Sequence, residues 1–363
     1  MIDAFSYAMP TAIHFGFGKL RELPTLLEGC AVRTAVLVCD RFFAAKGEDL
    51  RANTPQIAAV FSDVEPNPQL SGVREVVRLM KENNADSVIA LGGGSAIDTA
   101  KFAAACACSA LSPDEHFDGA AFAGAKKIIA VPTTAGTGSE VTAVAVVSRG
   151  EEKKTIHNPA FQATACIVDP QLTMSVPPRT TLITGLDAFT HAIEAFWSVR
   201  HSALSDILAV EAMRVILANL EASYAEGNEE ARTAMAYGSL LAGLAFSNAK
   251  TAACHACSYP LSMYHHLPHG EACAFTLDSL IRLNADDRLQ GLAKTLGFPD
   301  CDALADEIRR LKVLGGLRIR FADCDGDVDL DRLAKESAEH MLMKNNPVHL
   351  DEAALKAMFE ALL

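Results

Sequence analysis

Residues 87–101 read SVIALGGGSAIDTAK, and the order of chemistry in that stretch sets the fold. Five residues rich in Val, Ile and Leu form a strand, three glycines turn the chain, and the alanine-rich run over 96–107 continues as a helix. The same rhythm recurs on both sides. Short apolar runs at 34–39, 57–64 and 127–131 read as strands, and residues 9–18 supply an edge strand. Between them, 71–84 places Val73, Val76, Val77 and Met80 at i, i+3, i+4 and i+7, which is one face of a helix. Strands alternating with helices imply a parallel sheet covered by helices, with ligands bound beyond the carboxyl ends of the strands.

The glycine run lies at such an end. Gly92, Gly93 and Gly94 carry no side chains, so backbone amides there can approach phosphate oxygens, and Ser95 is placed to cap the next helix, whose dipole favours an anion. A tight turn without a ligand is the competing account of the same residues. Gly16 and Gly18 lack a third glycine and read as a turn.

At 363 residues, half of them hydrophobic (50%), the chain has material for two cores rather than one. Composition changes after Asp169-Pro170: strand signals fade, and helical periodicity covers 187–200, 204–222, 229–244, 289–296, 302–312, 330–343 and 351–362. Pro170, Pro177 and Pro178 punctuate the transition. The expected organisation is an α/β Rossmann-like parallel-sheet domain over 1–170 and an all-α domain over 171–363. A net charge of -13 with no Lys/Arg block excludes a general nucleic-acid or acidic-membrane surface. The N-terminus has neither a basic region nor an apolar one, and no run reaches membrane-span length, so a cytoplasmic protein is expected. Ten cysteines are too dilute for a disulfide scaffold and read as buried thiols.

The helical half carries the metal-type residues. Asp187 and His191 stand four apart in GLDAFTHAIEAF (185–196), so an oxygen and a nitrogen donor share one helix face. A surface pair or a helix hydrogen bond is the ordinary account of that spacing. Residues 251–275 hold His255 and His269, which an unbroken helix would separate by roughly 21 Å at about 1.5 Å per residue. Pro260, Pro268 and Gly270 offer places to break it and fold it back. One carboxylate and three imidazoles suit a divalent transition metal such as Fe(II) or Zn(II). Cys254 and Cys257 form a C-x-x-C around His255, without the second pair of a thiolate site, and read as packing. The run DCDGDVD (323–329) has a misplaced glycine and no closing Glu for a calcium loop, and reads as a turn before a helix.

G-G-G-S-x-x-D-x-A-K (92–101), PTTAGTGSE (132–140), GLDAFTHAIEAF, H-A-x-S-x-P-L (255–261) and P-H-G-x-A-x-A (268–274) together resemble the iron-containing, or group III, alcohol dehydrogenases over most of the chain. The resemblance implies a dehydroquinate synthase-like two-domain architecture. It also implies hydride transfer between a nicotinamide and a small aldehyde or alcohol, with Asp187, His191, His255 and His269 as metal ligands. Carried over by position, Gly93, Gly94, Ser95 and Ala96 would hold the pyrophosphate with Asp98 nearby. Thr133, Thr134, Gly136, Thr137 and Ser139 would line the cofactor cleft, and Asn67, Lys154 and Leu172 match weaker positions. Asp40, after its strand, matches an aspartate that bonds the adenosine ribose and would repel a 2′-phosphate, favouring NAD(H) over NADP(H). Where relatives often carry a second histidine, four residues after His255, this chain has Tyr259. Proton transfer then falls to Tyr259, His265, His266 or water.

The wording of SYPL and PHGEACA is most similar to the phosphonoacetaldehyde reductase branch, which implies conversion of phosphonoacetaldehyde to 2-hydroxyethylphosphonate. Glycerol or glycerol-phosphate dehydrogenase, a dehydroquinate synthase-like lyase and a non-catalytic nucleotide-binding protein are the rival readings. A homodimer or larger homo-oligomer is the assembly the family implies.

Overall fold

The structure, a computed structural model, describes residues 4–363. It divides into two compact units: residues 9–134 with 138–174, and residues up to Ala8 with 135–137 and 175–363.

In the first unit, strands β1 (Ala12–Phe15), β2 (Ala35–Cys39), β3 (Ile57–Phe61), β4 (Ser87–Gly92), β5 (Lys127–Pro132) and β8 (Ala165–Val168) form one sheet in the order β1-β8-β5-β4-β2-β3. Every pairing in it is parallel. Strands β2 and β4 are buried throughout, as expected for near-continuous apolar runs covered on both faces. From β2 the chain runs to β3 on one side and then to β4 on the other, so the strand order reverses between β2 and β4. That reversal is where a doubly wound sheet opens a ligand crevice. Helices α1 (Leu23–Gly29), α2 (Ala44–Asn53), α3 (Leu70–Glu82), α4 (Gly94–Cys106) and α5 (Pro113–Phe117) belong to this unit. Val73, Val76, Val77 and Met80 of α3 are all buried, as their spacing requires.

An antiparallel hairpin, β6 (Val144–Arg149) and β7 (Glu152–His157), has no counterpart among the strands expected from sequence. Its two-residue loop starts with Gly150 at φ 61°, a conformation that glycine adopts without a Cβ penalty.

The second unit is helical among the described residues: α6 (Pro178–Trp197), α7 (Ala203–Ala225), α8 (Glu229–Ala249), α9 (Ala253–His265), α10 (His269–Leu283), α11 (Asp287–Thr295), α12 (Cys301–Leu314), α13 (Leu330–Glu339) and α14 (Glu352–Glu360). Proline opens α6 at its first helical position, where the missing N–H costs nothing. Helix α6 is buried along almost its whole length and runs through the core of the unit. The DCDGDVD run is a turn, and its last residue, Asp329, caps α13 through Arg332 N. None of the described helices is long and apolar enough to cross a membrane.

Candidate metal and nucleotide site

Helix α6 carries Asp187 and His191 one turn apart, 3% and 5% exposed. The expected fold-back of 251–275 occurs, but not at Pro260. That proline lies inside α9, and the chain reverses over His266–Pro268, with His266 in the left-handed region at φ 53°. Helix α10 then starts at His269. Gly270 sets how closely that start approaches α6, because a Cβ there would stand 2.7 Å from the Ile183 carbonyl oxygen and 3.0 Å from Asp187 Cβ. Only a glycine brings His269 this near to Asp187.

Donor atoms of Asp187, His255, His269 and Cys273 lie within 4.8 Å of one another, and His191, outside that group, joins it through His255. His255 Nε2 lies 3.0 Å from His191 Nε2 and 3.9 Å from Asp187 Oδ1, and His191 Nδ1 is 4.0 Å from the same carboxylate oxygen. The His255 and His269 ring centroids are 5.5 Å apart. Phe246 stacks on the His191 ring at 4.2 Å. The edge formed by His269 is exposed, while the other three side chains are buried.

Two sequence-silent residues complete the cluster. Glu194, fully buried on the next turn of α6, accepts from the backbone N–H of Cys254 at 2.6 Å and faces His255 Nδ1 at 2.5 Å. That contact commits Nδ1 of His255 to Glu194 and turns its Nε2 toward His191. Cys273, four residues after His269 on α10, also faces the cluster. Glu194 stands within the quoted helix motif, three residues after His191, and periodicity there marks the position only as helix. Cys273 had no spacing signal of its own.

Burial raises the pKa of Asp187 to about 7, against the lowering influence of His255. Burial drives His191 well below the ordinary histidine range, reinforced by the neighbouring His255 and His269. Burial would lower His255 as well, but the acidic groups beside it, Cys273 and Glu194, outweigh that and hold it high. Asp187 Oδ1 and His191 Nδ1 are both buried without a hydrogen-bond partner. The two rings satisfy each other's Nε2 across 3.0 Å, but Asp187 Oδ1 and His191 Nδ1, 4.0 Å apart, are left unsatisfied within the protein. They fit a divalent cation, which accepts all these lone pairs together.

The other expected catalytic residues are not among these donors. The Tyr259 ring packs on His340 with centroids 4.3 Å apart, one turn beyond His255 on α9. His265 is buried, its Nδ1 3.0 Å from the Asp325 carbonyl and its ring against Phe321. His266 is exposed at the end of α9.

At the switch point, Gly93 stands at the N-cap of α4 with no side-chain cap. Ser95, expected as the cap, is instead inside the first turn. Ala96 already donates its N–H to Gly93 O, which leaves Gly94 and Ser95 with the outward-pointing amides of any helix start. A Cβ on Gly92 would be 2.6 Å from Ala96 Cβ and 3.8 Å from Asp40 Oδ2, so the Asp40 carboxylate overhangs the glycine run. Asp40 also accepts from Phe43 N.

Asp98 is committed internally: it accepts from Ser139 Oγ at 2.7 Å and from Val146 N at 3.0 Å. Lys101, fully buried, donates to Ser139 Oγ, Thr142 O and Val144 O, and burial lowers its pKa to about 8. Thr133 is buried and donates its N–H to Gly92 O, and the Thr134 hydroxyl would lie 3.3 Å from a Cβ on Gly93. Residues 135–137 pack with the helical unit, where a Cβ on Gly136 would be 2.7 Å from Thr184 Cβ. Asn67, exposed at φ 56°, accepts from Lys153 Nζ, Lys154 lies over the Phe117 ring and bonds its carbonyl, and Leu172 packs against the sheet.

A glycine loop at the switch point of a parallel sheet, with a buried carboxylate–imidazole cluster on helices, defines a metal-dependent, nicotinamide-linked alcohol or aldehyde oxidoreductase. The chain belongs to the iron-containing alcohol dehydrogenase family: residues 10–170 match the iron-containing alcohol dehydrogenase domain, and residues 181–363 match the family's C-terminal domain. The sulfoacetaldehyde reductase of Bifidobacterium kashiwanohense, solved with NAD+, is 38% identical with a TM-score of 0.94 over 99% of both chains. Long-chain-alcohol dehydrogenase 1 of Geobacillus thermodenitrificans is 35% identical over 97% of this chain and 95% of its own length. The NAD-dependent methanol dehydrogenase of Bacillus methanolicus is 30% identical over 94% and 95%.

Proposed function

We propose that this protein reduces a short aldehyde bearing an anionic group, with NADH and a divalent Fe or Zn ion held by Asp187, His191, His255 and His269. The observation that carries the metal assignment is the pair of buried, unpartnered atoms Asp187 Oδ1 and His191 Nδ1 beside the imidazoles of His255 and His269. When bound, the ion supplies Lewis acidity at the substrate oxygen and the nicotinamide supplies the hydride.

The chain's own groups do the rest. Glu194 fixes the orientation of His255, and Phe246 covers the His191 ring and shields it from water. Tyr259 and His340 hold the proton that completes the alcohol. His340 Nδ1 accepts from Leu342 N, so the neutral ring carries its hydrogen on Nε2, and burial keeps that ring neutral. His265, His266 or water is the alternative relay. The amides of Gly94 and Ser95, in the 93–96 run, cradle the pyrophosphate, Thr133, Thr134, Gly136 and Thr137 line the cofactor, and Asp98, Ser139 and Lys101 brace that wall. Asp40 bonds the ribose and selects NAD(H). On this reading 1–170 is the nucleotide-binding domain and 171–363 the metal-binding domain, of a cytoplasmic homo-oligomer with a homodimer as its smallest form.

Phosphonoacetaldehyde is the proposed substrate, and the likeness to a reductase of sulfoacetaldehyde, also an aldehyde with an anionic group, supports the class. The test is NADH loss with metal-stripped protein, with and without Fe(II) or Zn(II), over phosphonoacetaldehyde, sulfoacetaldehyde and uncharged aldehydes, with His269→Ala as control. Metal-dependent turnover that favours the anionic aldehydes and vanishes in the variant is expected. Equal rates on propanal would discard the anionic substrate, and product formation without net NADH loss would favour a lyase.

A further inference from the structure

A further donor-type side chain, Cys273, lies against the carboxylate–imidazole cluster. Cys273 is fully buried, and its Sγ lies 3.9 Å from His269 Nε2. Donor atoms of Asp187, His255, His269 and Cys273 all fall within 4.8 Å of one another. Around a single tetrahedral ion, a sulfur at about 2.3 Å and a nitrogen at about 2.1 Å stand roughly 3.6 Å apart. The Cys273–His269 separation of 3.9 Å is close to that, and the widest separations in the group close by about 1 Å when all four donors share one centre. The spacing of His269 and Cys273 at i and i+4 places both on the face of α10 that meets α6. Independently, the buried Oδ1 of Asp187 has no hydrogen-bond partner and is aimed into this same cluster.

We propose that Cys273 is a sulfur donor to the metal held by Asp187, His191, His255 and His269. The inference rests on the metal assignment made above. On coordination the thiol proton passes to solvent, one sulfur–metal bond forms and no electron is transferred. A thiolate is the soft member of an otherwise hard and borderline set, so it strengthens the hold on thiophilic ions such as Zn(II) and leaves the hold on Mn(II) nearly unchanged.

The experiment loads metal-stripped protein with Co(II) and records its absorption, beside Cys273→Ser, Cys273→Ala and Cys257→Ala. Expected are visible ligand-field bands in all four proteins. A near-ultraviolet sulfur-to-cobalt charge-transfer band should appear in the native protein and Cys257→Ala, and be lost in both Cys273 variants. Zn(II) affinity should fall at least tenfold in Cys273→Ser while Mn(II) affinity holds. Ligand-field bands without a charge-transfer band in the native protein would overturn the sulfur donor and leave the metal site standing. A charge-transfer band that persists in the Cys273 variants would do the same. Failure of cobalt to bind the native protein would remove the metal assignment and this inference together.

Discussion

The carboxylate of Glu194 meets Nδ1 of His255 at 2.5 Å while accepting the Cys254 backbone N–H at 2.6 Å, so one buried acid fixes both the ring and the helix that carries it. Outer carboxylates of this kind orient a metal-binding imidazole and raise its basicity, and losing one costs about 10–100-fold in metal affinity. Glu194→Gln is expected to weaken Zn(II) binding by that factor in calorimetric titration, with much of kcat recovered at saturating metal. Unchanged affinity would remove Glu194 from the site's machinery.

Gly270 is expected to be as restrictive as any ligand. An alanine there meets the Ile183 carbonyl, which belongs to backbone and cannot swing away. Overpacking of this kind costs about 1–3 kcal/mol. Gly270→Ala should lower the melting temperature of metal-free protein and reduce metal occupancy measured after dialysis, because His269 moves with the displaced helix start.

Asp40 stands beside the glycine run with its carboxylate near Gly92. Asp40→Ala removes the charge that opposes a 2′-phosphate, so the ratio of kcat/KM for NADPH over NADH is expected to rise at least tenfold, about 1.4 kcal/mol. A ratio left where it was would place the selectivity elsewhere.

Glu140 is buried, and desolvation raises its pKa to about 7 from 4.5. A carboxyl that holds its proton more tightly when folded contributes stability below about pH 4.5, and that contribution is lost as pH rises through about 7. At most this is on the order of 3 kcal/mol, the free-energy equivalent of a carboxyl moved from 4.5 to about 7. The native protein should therefore lose melting temperature between pH 5 and 7.5, and Glu140→Gln should flatten that slope. Parallel slopes for the two proteins would show that Glu140 does not titrate in this range.

Tyr259 and His340 can be separated by their substitutions. Tyr259→Phe keeps the ring packed on His340 and removes only the hydroxyl. A drop in kcat of about 10²–10⁴ with KM for NADH unchanged is expected if that hydroxyl hands over the proton. Retained activity in Tyr259→Phe combined with loss in His265→Gln would move the relay to His265.

The sheet was legible because its strands are covered on both faces, so β2, β4 and β5 stand out as continuous apolar runs. The β6–β7 hairpin escaped because its second strand, EKKTIH, carries three charged residues and alternates weakly. In the candidate site, helical spacing put Asp187 and His191 on one face, and the family wording, not the spacing, pointed to a metal there. The meeting of His255 with His269 was readable only as a need for a break, with three places offered: α9 absorbs Pro260, and the reversal runs from His266, in a left-handed conformation, to Pro268 at the start of α10. Glu194, Cys273 and His340 carry no local signal, since their roles depend on which helix faces which. The family wording pointed to residues 132–140, but only packing showed that Asp98 and Lys101 both bond Ser139 within that run.

Gly136 and Thr184 touch although 48 positions separate them, and a Cβ on the glycine would stand 2.9 Å from the Thr184 carbonyl. Three residues threaded out of the sheet half of the sequence, 135–137, thus take their packing partners from the helical half. A chimera joined near residue 174 would inherit the tip from one parent and its seat from the other. Recombination between relatives is therefore constrained at position 184, where a side chain larger than threonine would expel the tip even if Asp187, His191, His255, His269 and the 92–94 glycines were all retained.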